Sequence, residues 1–277
     1  MRAEPPLAHG AILAGLWRAA RAGRLPHALL FEGPSGVGKF ATARRLAMGL
    51  LCAEGPGDPC GACGPCKRFA SGDWRGNHPD VHVVDPLAEE QEIIKVERVA
   101  EREGGAESIE AFLGLRALEG GARVVLVREA QRMNAHAQNA LLKTLEEPAP
   151  GTLLVLESDR PELLLETLRS RCVRVRFGRL AEADAARILG AAGIEREEAV
   201  RLARWCRGSP GDALDLARRG GGELKALLCD VLHGRRAPVE AARAAFKLEG
   251  DFDGATPRAQ ERDRARAGWP RRSRPRA

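Results

Sequence analysis

A glycine-rich segment has the residue types and the spacing of a phosphate-binding loop. Residues 33–39 read Gly-Pro-Ser-Gly-Val-Gly-Lys and fit the pattern G-x-x-x-x-G-K. In such a loop, successive backbone N–H groups and the N-terminus of the following helix hold phosphate oxygens, while the lysine reaches the outer phosphates. An apolar run at residues 28–31 precedes the segment and a helical pattern follows it, which distinguishes it from an ordinary glycine-rich turn. We expect a nucleotide site whose residues are Gly33, Gly36, Gly38 and Lys39.

The two positions that would bind magnesium beside this loop carry other residue types. The residue after the lysine normally supplies a Ser or Thr hydroxyl, but here it is Phe40, and Thr42 lies two residues further along the helix. The second ligand is normally an aspartate that follows an apolar strand, whereas the apolar run at residues 124–127 is followed by Arg128. Glu129 comes next, as a vestige of the acid that orients the attacking water. The pattern leaves ATP binding open and argues against hydrolysis by this chain.

Four cysteines form a second candidate site. Cys52, Cys60, Cys63 and Cys66 have the spacing C-x7-C-x2-C-x2-C within a stretch rich in Gly and Pro. Four soft thiolates so close in sequence are typical of a closed, tetrahedral zinc site with a structural role. An iron–sulfur cluster is the main alternative, but the further Cys-Pro of the ferredoxin pattern does not follow Cys66. We interpret His78 as a residue that caps a turn, not as a fifth ligand.

Composition limits the class of protein. The 277 residues carry a net charge of +6, and no apolar run reaches the roughly 18 residues that a membrane span requires. Residues 1–6 contain an acid and two prolines where a secretory signal has an apolar core, so we expect a cytoplasmic protein with reduced thiols and no membrane partner. Aromatic residues are only 4% of the chain, which gives few surfaces for stacking unpaired bases. The basic charge is therefore weak support for nucleic-acid binding.

Apolar runs alternate with helical patterns along most of the chain. Strands are predicted at residues 28–31, 81–84, 123–127, 152–156 and 172–177, and helices at residues 39–51, 134–147 and 161–170. A strand that is apolar throughout is typical of a parallel sheet covered by helices on both faces. The order predicts an α/β fold, a doubly wound P-loop domain with a parallel sheet, interrupted by a cysteine-bearing insert at about residues 52–80. After residue 178 the pattern is wholly helical.

From residue 9 to about residue 220 the chain resembles the clamp-loader branch of the AAA+ ATPases. The resemblance rests on the phosphate loop with the residues before it, the four-cysteine insert, and blocks at residues 78–80, 128–133, 139–148 and 170–172. The insert and the block at residues 139–148, Asn-Ala-Leu-Leu-Lys-Thr-Leu-Glu-Glu-Pro, are the most specific of these features. The resemblance implies an AAA+ domain followed by an all-α lid and a helical collar.

The resemblance also implies roles for single residues. Arg171, in Ser-Arg-Cys, would be an arginine finger that reaches the ATP of a neighbouring subunit, a contact worth about 10³ to 10⁵ in rate. Without the resemblance, the ordinary interpretation is a surface arginine paired with an acid. Ser158 matches the first nucleotide sensor, and Gly211 stands where the second sensor has an arginine. A working ATPase of this family uses a hydroxyl, a carboxylate and a sensor arginine at the positions of Phe40, Arg128 and Gly211. This chain lacks all three groups but retains Arg171.

This combination implies a non-motor (stator) subunit of a DNA polymerase III clamp-loader complex. Such a subunit helps to load the sliding clamp on primed DNA during replication and supplies Arg171 in trans. Its partners would be ATP-hydrolysing gamma/tau-like motor subunits, a delta-like subunit, the sliding clamp and primed DNA. It would be a component of a polymerase holoenzyme without ATPase activity by itself, and zinc would be its structural cofactor. Two alternatives stay open: a motor subunit of the same complex with its own ATPase activity, and a zinc-containing DNA-binding protein.

The expected domains follow the change in pattern. Residues 1–178 should form the AAA+ domain, residues 179–220 the helical lid, and residues 221–248 the start of the collar. Apolar periodicity stops near residue 249, and residues 249–277 are predicted to be a disordered basic tail. The family's collar extends further than this, so either the collar is truncated or the reading frame shifts near residue 250.

Overall fold

The computed structural model describes residues 9–70, 78–86, 92–100, 108–119, 121–218, 229–235 and 237. The chain divides into two compact units, Met1–Asp212 and Ala213–Ala277. The predicted basic tail, and nearly all of the predicted collar, lie outside the described residues. The domain boundaries at residues 178, 220 and 248 stay predictions.

A five-stranded parallel sheet forms the centre of the first unit. Its strands are β1 Ala28–Glu32, β2 Val81–Val84, β3 Arg123–Val127, β4 Thr152–Ser158 and β5 Val173–Arg176. They lie in the order β2-β3-β4-β1-β5, and every neighbouring pair is parallel. Every residue of β1 and of β3 is buried, as the all-apolar strands predicted. The predicted α/β fold with a parallel sheet is confirmed.

Helices cover both faces of this sheet. Their bounds are α1 Gly10–Arg21, α2 Lys39–Leu50, α3 Gly64–Ala70, α4 Ile109–Gly114, α5 Ala135–Glu146 and α6 Glu166–Arg169. Neighbouring residues of β1 face opposite sides of the sheet. Leu29 packs in a core with α1 and α2, and Leu30 packs in a second core with α5. Apolar contact on both faces explains why residues 28–31 of β1 are all apolar.

Short helices follow the last strand. They are α7 Glu182–Ala191, α8 Arg196–Trp205 and α9 Pro210–Arg218, close to the helices expected after residue 178. Asn134 caps α5, because its Oδ1 accepts the N–H of Ala137 at 2.8 Å. Within the residues that the structure describes, no helix is long and apolar enough to cross a membrane.

The structure corrects one expectation about local structure and adds to a second. The single helix predicted at residues 161–170 is a 3₁₀ turn, Pro161–Leu163, followed by the short α6, because Leu164 between them is extended and buries its side chain in the core. The insert, rich in Gly and Pro and without apolar periodicity, is predicted to be held by something other than a hydrophobic core. In the structure, Phe69 in α3 is fully buried against the core that contains α2.

Candidate functional site

The phosphate loop joins β1 to α2 at the middle of the sheet. Because all strands are parallel, the carboxyl ends of β1, β3 and β4 meet at the same edge, beside the loop. Gly36 and Gly38 have φ values of +69° and +96°, in the left-handed region that glycine adopts at low cost, and Gly38 is the N-cap of α2. The structure therefore forms the predicted loop at the start of a helix.

Lys39 points back into its own loop. Its Nζ donates hydrogen bonds to the carbonyl oxygens of Gly33 at 2.9 Å and Pro34 at 2.8 Å, and lies 3.2 Å from Oε1 of Glu157. The residue is only 2% exposed. A buried ammonium group requires a nearby anion, and Glu157 supplies one.

Glu157 is a residue that the sequence analysis missed. It lies on β4, next to Ser158 and opposite Phe31 of β1, and is 8% exposed. Its Oε2 accepts the backbone N–H of Glu129 at 3.3 Å. Burial raises the pKa of this carboxyl group, while Lys39 lowers it. An acid near the end of an otherwise apolar strand, beside the strand that leads into the loop, is the sequence signal that could have identified it.

The residues at the two magnesium positions lie against each other. The guanidinium carbon of Arg128 lies 5.5 Å from the ring centroid of Phe40, within the range of a cation–π contact. Nη1 of Arg128 also pairs with Oδ2 of Asp85 at 3.1 Å, and Asp85 is 1% exposed. The hydroxyl of Thr42 donates to the carbonyl oxygen of Gly38 at 2.8 Å, inside its own helix. An aromatic ring and a guanidinium group thus stand where a hydroxyl and a carboxylate would bind the metal.

The other predicted nucleotide residues have partners within the chain. The carboxylate of Glu129 pairs with Arg132, and Glu129 has a left-handed backbone with φ of 49°. Ser158 is buried, and its Oγ accepts the backbone N–H of Arg160 at 3.1 Å. Ser158 also accepts the N–H of Gly33 through its carbonyl oxygen at 3.3 Å, so β4 is bonded directly to the loop.

A segment after α8 contacts the phosphate loop. The Oγ of Ser209 donates to the carbonyl oxygen of Ser35 at 3.0 Å, and the N–H of Gly211 donates to the carbonyl oxygen of Gly36 at 2.8 Å. A Cβ atom at Gly36 would lie 2.2 Å from Oγ of Ser209 and 2.6 Å from Oδ1 of Asp212, so this contact requires glycine. Where the resemblance places a sensor arginine, this chain presents Gly211 followed by an acid.

Arg171 lies away from this loop, just after α6. Its Nη2 lies 2.5 Å from Oε1 of Glu146, at the end of α5, and its Nη1 donates to the carbonyl oxygen of Thr167 at 2.8 Å. The side chain is 36% exposed and that of Glu146 is 52% exposed. In the isolated chain, Arg171 is thus a surface arginine paired with an acid.

The four predicted metal ligands lie together after α2. The Sγ atoms of Cys52, Cys60, Cys63 and Cys66 all lie within 4.8 Å of one another, and those of Cys52 and Cys63 are 3.9 Å apart. Four sulfurs bound tetrahedrally at about 2.3 Å from one ion are about 3.8 Å apart, so the cluster fits a four-coordinate metal. The cluster can therefore hold a metal ion.

The backbone around the cluster also favours bound thiolates. The N–H groups of Cys63 and Cys66 point to the Sγ atoms of Cys60 and Cys63 at 3.4 and 3.5 Å. Hydrogen bonds from the backbone of Ala53 and of Cys66 lower the pKa of Cys63 to about 6. Burial raises the pKa of Cys66, a shift that a bound cation opposes. The Nδ1 of His78 accepts the N–H of Asp80 at 3.1 Å, so this histidine caps a turn, as predicted.

Comparison with known structures identifies the class of protein. The fold resembles that of the RuvB Holliday junction branch migration motor of Thermotoga maritima, with a TM-score of 0.50 over 83% of this chain and 67% of that chain, at 19% sequence identity. Together with the phosphate loop at the carboxyl edge of a five-stranded parallel sheet, this likeness defines a P-loop protein of the AAA+ fold.

The family can be stated more closely. Residues 8–181 match the family described as "DNA polymerase III, delta subunit", and the chain belongs to this family. It is 35% identical over 202 residues to DNA polymerase III subunit delta′ of Bacillus subtilis, an alignment covering 68% of this chain and 57% of that protein. It is 38% identical over 220 residues to the subunit delta′ of Pseudomonas aeruginosa, covering 78% of this chain and 58% of that protein. The chain thus spans less than two thirds of the length of these relatives.

Proposed function

We propose that this chain is the non-motor subunit of a DNA polymerase III clamp-loader complex. Its family and its relatives named delta′ support this role. The chain then works in DNA replication, in the cytoplasm, as part of the assembly that loads the sliding clamp on primed DNA. Its partners are gamma/tau-like motor subunits and a delta-like subunit. The domain limits at residues 178 and 220 belong to the same proposal.

The observation that carries the non-motor assignment is the contact between Phe40 and Arg128. A motor subunit binds magnesium through a hydroxyl after the loop lysine and a carboxylate after the β3 strand. Here a guanidinium group, already paired with Asp85, lies over a phenyl ring. A second cation at this place would be repelled and would find neither ligand. The loop of residues 33–39, with Ser158, is then a degenerate nucleotide site.

Arg171 is the residue through which this chain would act on ATP. It follows the short α6 and is partly exposed, so a neighbouring subunit can approach it. An exposed ion pair such as that with Glu146 contributes only about 0–1 kcal/mol to stability, and a neighbour's triphosphate can replace the carboxylate at small cost. The guanidinium group would then meet the charge that develops on the transferred phosphoryl group.

We propose that the cysteine cluster binds zinc as a structural ion. Four sulfurs complete a tetrahedral shell and leave no position for a substrate, which is typical of structural and not of catalytic zinc. When bound, the ion crosslinks the start of the insert at Cys52 to α3, where Cys66 lies. The role of the chain's own residues is to hold the insert against the core that contains α2.

The role of Arg171 is tested in a reconstituted assembly with motor subunits, clamp and primed DNA. We expect Arg171→Ala to lower ATP hydrolysis at the neighbouring motor's site by about 10³ or more, and so to remove that site's share of the assembly's steady-state turnover. Arg187→Ala is the matched control, since Arg187 is an exposed arginine on α7 paired with Asp184. The proposal fails if Arg171→Ala joins the complex and leaves turnover unchanged.

A further inference from the structure

The phosphate loop already contains an anion of its own. An ammonium group has three N–H donors, and those of Lys39 are matched by three acceptors: the carbonyl oxygens of Gly33 and Pro34, and Oε1 of Glu157. In a phosphate loop that binds nucleotide, the lysine instead reaches phosphate oxygens. Glu157 therefore supplies the negative charge that the phosphate of a bound nucleotide would supply to Lys39.

We infer that Glu157 is an internal anion that holds Lys39 in place of a phosphate oxygen, and that this carboxylate keeps nucleoside polyphosphates out of the loop. The loop would behave in this way whether or not the chain is a stator, so the inference goes beyond the proposed function. The ligand selectivity of the loop then depends on Glu157, which lies outside the residue blocks that carry the family resemblance.

Each carboxylate oxygen of Glu157 has a partner that holds the side chain in place. Oε1 faces Lys39, while Oε2 accepts the backbone N–H of Glu129 at 3.3 Å. The side chain is almost fully buried between β4 and the loop, so water cannot screen its charge. A phosphate that reached Lys39 would either lie next to the Glu157 carboxylate or displace that carboxylate from Lys39. In the second case the carboxylate would remain buried without a cationic partner. Both arrangements cost free energy.

The surroundings of the loop do not compensate for this repulsion. The guanidinium group of Arg128 is paired with Asp85, and Asp212 brings a further carboxylate close to Gly36. Lys39 pairs with Glu157 and Arg128 with Asp85, while Glu32, which directly precedes Gly33, pairs with Arg174 and Arg176. These cations beside the loop thus already have carboxylate partners. Magnesium would normally share the phosphate charge, but its two protein ligands are replaced here.

Replacing Glu157 tests the inference on the isolated full chain. The probes are a fluorescent ATP analogue and inorganic triphosphate, each titrated in EDTA and again with magnesium. Wild type should show no saturable binding that depends on Lys39. Glu157→Gln keeps the shape and an acceptor for Lys39 but removes the charge, and we expect its affinity in EDTA to rise by about tenfold or more. Glu157→Ala should give a gain of similar sign.

Two controls separate this effect from a general change in charge. Glu166→Gln removes an exposed acid at the start of α6 and should leave binding unchanged. Lys39→Met combined with Glu157→Gln should abolish the gain in affinity, because Glu157→Gln acts by freeing Lys39 to bind phosphate.

Three results would overturn the inference. The first is saturable binding to wild type that Lys39→Met removes. The second is a folded Glu157→Gln chain that binds no better than wild type. The third is loss of the folded state in both Glu157 variants, read by circular dichroism, which would give Glu157 a purely structural role. None of these results depends on partner subunits, so the proposed role of Arg171 is tested separately.

Discussion

The Glu157 side chain changes what the phosphate loop can bind, because it pairs with the loop's lysine, Lys39. The loop has the residues and the left-handed glycines of a nucleotide site, yet its lysine is buried against a carboxylate. Removing one partner of a buried ion pair is costly, because the other charge is left in a place of low polarity. Burial raises the pKa of Glu157 while Lys39 lowers it, so the charge of this carboxylate depends on its ammonium partner.

Lys39→Met should therefore lower the free energy of unfolding by about 3 kcal/mol near neutral pH. A carboxyl group whose folded pKa is raised stabilises the fold fully below its unfolded pKa, and this contribution is lost as the pH rises through the folded pKa. Without Lys39 that pKa rises further, so the loss in stability should be smaller at acidic than at neutral pH. Urea unfolding at several pH values measures the effect.

The matched control for this prediction is the double variant. Glu157→Gln in the Lys39→Met background removes the unpaired charge and should recover part of the lost stability, with little dependence on pH. Equal unfolding free energies for Lys39→Met and the double variant at neutral pH would contradict the assignment of a buried ion pair.

Sequence reasoning identified the loop and the missing magnesium ligands but not the groups that replace them. Phe40 and Arg128 stand out because they break a local pattern. Glu157 interrupts only the apolar run of β4, and its partner, like that of Asp85, is set by strand register and by the order of the strands. Such pairings depend on tertiary structure, which one sequence without its fold does not display.

At the scale of elements, the cysteine insert packs against the sheet domain beside its four candidate metal ligands. The cluster begins at Cys52, just after α2, and ends at Cys66 in α3, while Phe69 of the same helix is buried in the core. The insert was predicted to depend on something other than a core. The structure shows packing as well, since α3 carries the core residue Phe69 beside the candidate ligand Cys66.

Protein purified without added metal should contain one zinc ion per chain, measured by elemental analysis. Cys66→Ser should abolish zinc retention and lower the melting temperature, because α3 loses its crosslink. Cys172→Ser is the matched control, since Cys172 is a buried thiol outside the cluster, and it should retain zinc. Iron with labile sulfide, or zinc in the Cys66→Ser chain, would contradict the assignment.

Acid should release the metal, because protons compete with the ion for the thiolates. Cys63 has a pKa of about 6 before metal is bound, and the ion lowers it further, so we expect retention at neutral pH and release at pH values below 6. Dialysis at a series of pH values, followed by metal analysis, measures this. Release that increases with rising pH would be inconsistent with thiolate ligands.

Strands were easier to predict than the short helices. β3 begins and ends at the residues predicted, because a run of apolar residues bounded by charged ones leaves few alternatives. The prediction of a single helix after β4 is wrong, because Leu164 is extended and packs in the core between a 3₁₀ turn and α6. Helical spacing of apolar residues does not reveal such a break, since the side chain is buried in either conformation.

At the scale of the whole molecule, the strand order explains why the degenerate groups meet. β1 lies between β4 and β5, and β3 lies next to β4, so the loop, Glu157 and Arg128 share one edge of the sheet. The chain belongs to the DNA polymerase III, delta subunit family, and this edge retains the shape of a nucleotide site. Lys39 and Arg128 at this edge, however, are already paired with carboxylates of the chain, which supports the proposed subunit that acts through Arg171 at a neighbour's site.

We propose that this chain does not hydrolyse ATP by itself. Its most direct test is steady-state Mg-ATP hydrolysis by the isolated, monodisperse chain, compared with Lys39→Met prepared in the same way and shown by circular dichroism to be folded at the assay temperature. We predict equal rates for both, at the level of contaminating ATPase. Turnover that disappears with Lys39 would contradict the account and would make the chain a motor subunit.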